Sequence, residues 1–454
     1  MEKLLLTKRF VLNPDVFLVK GAKRGALYDL STGNVYSIDE NSVKMLEMCE
    51  NGVGVSLSRL FQNISEIKPE EIMIYFQSLY SLNLGRFVDE NEIVSKIDLP
   101  PLRPKLDFIW LELNQECNLR CLHCYANSGP ERKQNNKENL SLAEWKKVIQ
   151  DAFDAGCRRL QFIGGEPMLF GKDIYVLIEL ARKLGYELIE IFTNATLFTP
   201  QDIDLLANFN VQIAISIYSK RQEIHDKITT VKGSYNRTME NVKKLQEKGI
   251  PIRFSTVIMK QNEEYTKETL EFLKKLGEIT PSRCFDVVRP VGRGKDRNVI
   301  PQKMRALLYR KRPYFYRVSR ADFIRRRQGH DCWQGKIAVK SNGDVIPCIM
   351  AREFVCGNVK KQSFMEILWG DKLQDLWKIS KDKIKICKDC EYRYVCIDCR
   401  AMAKNLYVRD KNCLYNPYKG EWEVKEVIEN VGDSESYLYR RRVREKGREN
   451  ASES

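Results

Sequence analysis

Asn114-Gln115-Glu116-Cys117-Asn118-Leu119-Arg120-Cys121-Leu122-His123-Cys124-Tyr125-Ala126-Asn127-Ser128-Gly129 is the stretch on which the rest of the chain is read. Its cysteines are spaced C-x3-C-x2-C. Three thiolates this close can take three corners of one iron–sulfur cube. With no fourth cysteine nearby, one iron is left without a protein ligand. An open iron in a thiolate cage can bind and activate a small molecule, whereas a closed cage suits electron transfer. The apolar, β-prone run Phe108 to Leu113 comes just before. The cysteines therefore belong in the loop after a strand, where βα folds place their chemistry. The alternative is three buried structural thiols. The spacing is not that of the common zinc sites, which pair C-x2-C units.

The totals frame this reading. At 454 residues two or three domains are expected, and an apolar content of 43% is ample for packed cores. No apolar run reaches the length of a membrane span. The start, Met1 to Pro14, has three leucines between charges and lacks the form of a signal peptide. Fourteen cysteines in such a chain fit a reducing cytoplasm, where thiols stay free for metals, and no membrane partner is expected. The net charge of +15 suits nucleic acid, but equally an acidic peptide or the anions of a cofactor. Much of the excess lies in two blocks. Lys303 to Arg327 reads as a helix-rich linker, and Arg440 to Arg444 as part of a mostly disordered tail. Both read as solvated charge, and no nucleic-acid partner is expected.

Residues 1–95 read as a small α+β unit. Strands are expected at Val16–Lys20, Ala26–Leu30 and Asn34–Ile38, and helices at Asn41–Cys49, Ser56–Asn63 and Pro69–Leu84. Three prolines between Pro100 and Pro104 then make a stiff linker. From Asp107 to Gly294 strands and helices alternate, which implies a parallel sheet with helices outside. The six strands expected are Phe108–Leu113, Leu160–Ile163, Leu188–Phe192, Val211–Ile217, Ile252–Ile258 and Cys284–Val288. Six units are too few for a complete eight-stranded barrel.

Gly164-Gly165-Glu166-Pro167 follows the second of these strands. Its glycines allow close backbone approach to a ligand, and its carboxylate can accept bonds from an ammonium group. Gly292-Arg293-Gly294 can cradle an anion or simply turn the chain. A second cysteine group comprises Cys332, Cys348, Cys387, Cys390, Cys396, Cys399 and Cys413. Seven cysteines so placed are a metal signal. Zinc is the rival to iron–sulfur, because paired C-x2-C units make good tetrahedral sites. Cys49, Cys157 and Cys284 read as small apolar packing residues.

At Cys117, Cys121 and Cys124 the sequence resembles the radical SAM enzymes, and at Cys332 to Cys413 it resembles their SPASM extension. The resemblance implies an α/β fold: a partial (β/α)6 TIM-type barrel at 107–294, an N-terminal winged-helix-like peptide-recognition domain at 1–95 and a C-terminal SPASM iron–sulfur domain at 332–420. Bridging helices would occupy 295–331, and 421–454 would be a charged tail. The implied cofactors are S-adenosylmethionine and three 4Fe–4S clusters, one radical SAM and two auxiliary. Gly164, Gly165, Glu166, Pro167, Asn194 and Ser216 match positions near S-adenosylmethionine, although Tyr218 stands where many relatives carry an acid. Cys387, Cys390, Cys396 and Cys413 would close one auxiliary cluster. Cys332, Cys348 and Cys399 would hold the other, with its fourth iron free or on Cys356. The pair Cys396 and Cys399 is C-x2-C where C-x3-C is common. His225, in a further family-like stretch, reads as structural.

The chain looks most like the grasp-with-spasm and thioether-forming maturases of ribosomally made peptides. That implies a precursor peptide whose leader binds the N-terminal domain, and an electron donor such as flavodoxin or ferredoxin. The expected reaction is a thioether crosslink between a cysteine sulfur and a peptide carbon. Carbon–carbon crosslinking, epimerisation and sulfatase formylglycine maturation are alternatives by the same chemistry. A zinc-dependent nucleic-acid-binding protein is the alternative of another class.

Overall fold

The computed structural model describes residues 8–50, 52–101, 105–131, 138–277, 284–302, 314–410 and 413–422. The basic stretch 303–313 and the arginines at 440–444 lie outside the described residues.

The N-terminal unit opens with β1 (Arg9–Leu12) and the meander β2 (Val16–Lys20), β3 (Gly25–Asp29) and β4 (Val35–Ile38). Helix α1 (Glu40–Glu47) starts where the Asp39 carboxylate accepts from the Ser42 amide. After β5 (Val55–Ser56) come α2 (Leu57–Asn63), capped by Ser56, and α3 (Pro69–Ser81). Proline opens α3, with Glu70 and Glu71 in its first turn. Strand β6 (Gly85–Val88) closes the antiparallel sheet β5-β1-β6. Phe10, Leu27, Leu46, Leu60 and Phe76 share one core. Three helices against a small antiparallel sheet form a winged-helix-like unit. The sequence reading lacks β1, β5 and β6, which are short and pair with partners far along the chain.

The barrel begins at β7 (Phe108–Glu112). It continues through α4 (Leu142–Asp154), β8 (Arg159–Ile163), α5 (Asp173–Leu184), β9 (Leu188–Thr193) and α6 (Pro200–Asn208). Then follow β10 (Gln212–Ser216), α7 (Gln222–Thr229), α8 (Ser234–Glu247), β11 (Ile252–Ile258), α9 (Thr266–Leu276) and β12 (Phe285–Val287). Reciprocal capping boxes set the starts of α4 and α6: Ser141 with Glu144, and Thr199 with Asp202. The six strands are parallel and in chain order. Ile109, Leu111, Leu160, Phe162, Ile189, Ile191, Ile213 and Ile215 pack with the helices in one core. Alternation turns the intervening residues to the inner face. That face carries charge: the Arg253 guanidinium grips Glu190 through two bonds of 2.8 Å, and Gln161 also donates to Glu190.

The cysteine-rich C-terminal part does not stand apart from this sheet. After α10 (Arg320–Gln328), β13 (Lys336–Val339) lies parallel to β7, with Ile337 opposite Ile109. Antiparallel β14 (Asp344–Ile346) and β15 (Gly357–Asn358) extend the sheet to nine strands. Helices α11 (Phe364–Trp369) and α12 (Asp371–Trp377) and the hairpin of β16 (Tyr415–Asn416) and β17 (Glu421–Trp422) follow. The β2–β4 meander packs one face on this part. Phe17 and Tyr28 meet Phe323, and Tyr28 also meets Tyr394, while the Tyr28 hydroxyl donates to the Glu391 carbonyl at 3.2 Å. Among the described residues, β4 pairs only with β3. No helix among the described residues is long and apolar enough to cross a membrane.

Candidate metal centre and substrate cavity

The loop after β7 is pinned from several sides. Arg120 and Leu122 donate backbone N–H bonds to Thr229 and Ile228 at the end of α7. Arg293 reaches in from beyond β12. Its Nε donates to the Cys121 carbonyl at 2.8 Å, its Nη2 to the Ser128 carbonyl at 2.6 Å, and its amide to the Cys124 carbonyl at 3.0 Å. Arg293 therefore braces the cysteine loop. Gly292 has φ +57°, and a Cβ there would overlap the carbonyls of Cys124 and Tyr125. The Leu119 amide donates to Cys117 Sγ and the Ser128 amide to Cys124 Sγ, each at 3.4 Å. The Tyr218 hydroxyl lies 3.9 Å from Cys121 Sγ. Burial pushes the Cys117 and Cys121 thiols up, Cys121 to about 12, and the neighbouring thiols add to this. Thiolates here require a bound cation to offset their burial, so this donor set fits a metal group.

The Gly164–Pro167 turn is laced to the same loop. The Gly165 amide donates to Asn114 O at 2.9 Å and the Glu166 amide to Glu116 O at 2.8 Å. A Cβ on Gly165 would overlap the Glu116 carbonyl. The Glu166 carboxylate is buried and accepts from the Thr193 hydroxyl at 2.6 Å, the Asn194 amide at 2.9 Å and the Met168 amide at 3.1 Å. Burial raises its pKa, and these bonds act against that shift. The sequence suggests a carboxylate open to an ammonium group. In the fold, three of its roughly four acceptor positions are already taken, two of them bracing the β8 loop against the end of β9. Asn194 donates to Asn118 at 2.9 Å and lies 3.9 Å from Cys117 Sγ. Ser216 is half-buried and hydrogen-bonds the Tyr218 hydroxyl. Tyr218 thus places a neutral donor, rather than a carboxylate, beside Cys121.

His225 is buried, and its Nδ1 accepts the Tyr218 amide at 3.3 Å. Asp226 beside it caps α8 through Gly233, Ser234 and Tyr235. Burial lowers the His225 pKa to about 4. The unfolded chain binds this proton first, at a pKa of about 6.5, so stability falls as pH drops from about 6.5 to 4, by about 1.4 kcal/mol per unit. Thermal melts between pH 7 and 4.5 test this. The wild type should lose stability more steeply than His225→Asn, which retains a neutral acceptor.

The second cysteine group divides in two. Burial pushes the thiols of Cys332 and Cys348 up, Cys399 adds to both shifts, and Cys332 adds to that of Cys348. Arg289, just beyond β12, points Nη1 at Cys399 Sγ (3.3 Å) while its Nη2 holds Asp286 at 2.8 Å. Cys396 neighbours Cys387, Cys390 and Cys413. Cys356 joins neither set: its thiol faces the Phe354 carbonyl at 3.6 Å, and its charged neighbour is Lys372. Cys49, Cys157 and Cys284 are buried in the packed cores. Among the described residues, no three His, Cys, Asp or Glu side chains converge as a single bound ion requires. A four-iron cube holds its ligands further apart.

A cavity of about 270 Å³ is lined by residues that follow Cys124 on one side and Cys348 on the other. Tyr125, Asn127 and Gly292 wall it on the β7-loop side, and Met350, Arg352 and Phe354 on the other. Arg352 crosses to buried Glu112 at the end of β7 through bonds of 2.7 and 3.0 Å, and its guanidinium lies over the Tyr125 ring at 5.7 Å. Neither Arg352 nor Arg289 is singled out by the sequence, because their partners are remote in the chain.

A parallel half-barrel with three thiols in its first loop and two further sets beyond it defines a multi-centre iron–sulfur enzyme. Residues 111–273 match the radical SAM superfamily model, and residues 332–391 match the SPASM model, described as an iron–sulfur cluster-binding domain. The chain carries a radical SAM domain and a SPASM domain, and the cofactors of these domains are iron–sulfur clusters and S-adenosylmethionine. It is 28% identical to the AdoMet-dependent heme synthase of Methanosarcina barkeri, covering 68% of this chain and 96% of that protein. To the antilisterial bacteriocin subtilosin biosynthesis protein AlbA of Bacillus subtilis it is 26% identical, over 70% of this chain and 72% of that protein. Its fold resembles that of Streptococcus suis SuiB bound to S-adenosylmethionine, with a TM-score of 0.56 at 18% identity over 89% of this chain and 99% of that one. SuiB bound to its precursor peptide SuiA gives a TM-score of 0.52 at 18% identity, with the same coverage of both chains.

Proposed function

We propose that this chain modifies a ribosomally made peptide, joining a cysteine sulfur to a peptide carbon. The cavity lined by residues that follow a cysteine of the first set and a cysteine of the second group carries this reading. Tyr125 and Asn127 directly follow Cys124, and Met350 to Phe354 follow Cys348. A peptide lying there would have one carbon near the β7 loop and a sulfur near the second set. When bound, the first cluster and S-adenosylmethionine supply a 5′-deoxyadenosyl radical that takes a hydrogen atom from a C–H bond.

The chain's own residues hold and orient. Cys117, Cys121 and Cys124 would anchor the first cluster. The Gly164–Pro167 turn, Asn194 and Ser216 would seat S-adenosylmethionine. Cys387, Cys390, Cys396 and Cys413 would complete one auxiliary set. Cys332, Cys348 and Cys399 would leave one corner of the other for a substrate thiolate. Residues 1–95 would recognise the leader as a strand added to β4, 107–294 form the radical SAM barrel, 295–331 bridge, and 332–420 bear the auxiliary centres. The relationship to AlbA and the fold shared with the SuiB–SuiA complex support a peptide substrate.

Joining sulfur to carbon removes one hydrogen atom from carbon and one proton from sulfur, and the surplus electron passes to the chain. Anaerobic turnover with the cognate precursor should therefore lower the peptide mass by two hydrogens per bond and block one thiol from alkylation. An unchanged mass with solvent deuterium uptake would mean epimerisation. A second reading, synthesis of haem, rests on the 28% identity over 96% of the heme synthase. A porphyrin changed by the enzyme, with the peptide left intact, would favour it.

A further inference from the structure

Arg289 brings a full positive charge from the barrel to the second cysteine group. Its Nη1 donates to Cys399 Sγ at 3.3 Å, and its Nη2 donates to the Asp286 carboxylate at 2.8 Å. At the first set the sulfurs meet neutral donors instead: the Leu119 and Ser128 amides at 3.4 Å, and the Asn194 side chain and Tyr218 hydroxyl at 3.9 Å. Burial lowers the Arg289 pKa, but Asp286, Cys399, Cys348 and Cys332 together raise it further, so the guanidinium stays charged. All three cysteines of this set therefore neighbour one guanidinium.

That charge is fixed at both ends. The Val288 amide donates to the Ile258 carbonyl of β11 at 2.9 Å, and the Val291 amide donates to the Arg289 carbonyl at 2.7 Å. Gly294 closes on the same carbonyl, which a Cβ there would overlap. Asp286, in β12, accepts the Val287 amide at 2.8 Å, so the carboxylate that grips Arg289 is itself held. The next three residues, Pro290, Val291 and Gly292, line the cavity. A positive charge held beside thiolate sulfur favours the state of a metal group that carries more negative charge. Reduction potentials follow net charge and the hydrogen bonds to sulfur.

We propose that Arg289 is a positioning residue for the set Cys332, Cys348 and Cys399. It holds a fixed positive charge on the Cys399 sulfur and so favours uptake of the electron left over when sulfur joins carbon. In that step the substrate thiolate, its proton already lost to solvent, bonds to the carbon radical. One electron is released and the set is reduced by one. The inference rests on the proposed sulfur–carbon joining and on the reading that this set binds an iron–sulfur cluster.

The test uses the full chain, reconstituted anaerobically, with iron content measured first. Cys117, Cys121 and Cys124 are replaced by alanine throughout, so that only the signals of the second group remain. Redox titration is followed by electron paramagnetic resonance. The signal lost with Cys332→Ala belongs to this set, and the signal lost with Cys387→Ala to the other. In this background Arg289→Gln should weaken the hold on the added electron about tenfold, a midpoint lower by about 59 mV. The midpoint of the other set and the iron content should not change. Arg289→Lys keeps the charge without the fork and should recover part of the shift. Asp286 is 51% exposed, so the loss of its partner strands no buried charge and the variant should fold. Arg297→Gln removes an exposed charge eight residues on and should have little effect. The role of Arg289 is overturned by an unmoved midpoint, by equal shifts in both sets, by a matching shift in Arg297→Gln, or by loss of iron from Arg289→Gln. A chain with no signal that depends on Cys332 would instead sink the cluster reading. A lowered midpoint with a precursor that never loses two hydrogens would sink the crosslinking reading.

Discussion

Replacing Cys117, Cys121 and Cys124 together by alanine is expected to bring 5′-deoxyadenosine release down to the level of the enzyme-free reaction. Iron content should fall by about a third, since two other thiol sets remain to bind clusters. The physical ground is the burial that pushes Cys117 and Cys121 up, Cys121 to about 12. Such thiols become thiolates in trade for a metal's charge, and alanine removes both partners of that exchange. The fold itself should survive. The loop is held by backbone bonds from Arg120, Leu122 and Arg293, which do not involve the sulfurs. Cys356→Ala is the informative control. Its thiol meets the Phe354 carbonyl and neither cysteine set, so iron content and deoxyadenosine release should match the wild type. Equal losses from the two variants would overturn both the assignment of the β7 loop and the separation of Cys356.

What the sequence reveals here is local, and what it hides is remote. The six barrel strands are legible because each is a short β-prone run followed by an amphipathic helix. Ile252–Ile258 is found where the sequence places it, and the others differ only at their ends. The three-cysteine loop is legible because its spacing is itself the signal. Strands β13 to β15 are not, since each is only two to four residues long and β13 takes its place beside β7 through long-range pairing. The wing strands β1, β5 and β6 are hidden for the same reason. The site shows the same divide. Glu166 announces itself in its turn, but only the fold shows Thr193 and Asn194 closing on its carboxylate. The C-x2-C at Cys396 and Cys399 departs from the common spacing, yet the fold still sends Cys396 to one set and Cys399 to the other.

Arg352→Met should destabilise the protein by about 3–5 kcal/mol, the cost of stranding one member of a buried ion pair. The pair joins the barrel to the cysteine-rich part. Glu112, fully buried at the end of β7, receives both terminal nitrogens of Arg352 from the loop after Cys348. Removing the arginine leaves a carboxylate where water does not reach. Removing the carboxylate is the milder change, because the Arg352 side chain is 20% exposed and borders the cavity, where its charge can be solvated. Glu112→Leu should therefore cost less than Arg352→Met, and Glu112→Leu with Arg352→Met should recover much of the lost stability by leaving no unpaired charge. Chemical denaturation of the four proteins measures this cycle directly. A separate effect is expected on turnover. Arg352 stacks over Tyr125 and walls the cavity, so the double variant should fold yet bind the precursor peptide less tightly. If Arg352→Met alone were as stable as the wild type, Arg352 would be no tie between the two parts, and if the double variant bound the peptide as tightly as the wild type, Arg352 would be no wall of the substrate site.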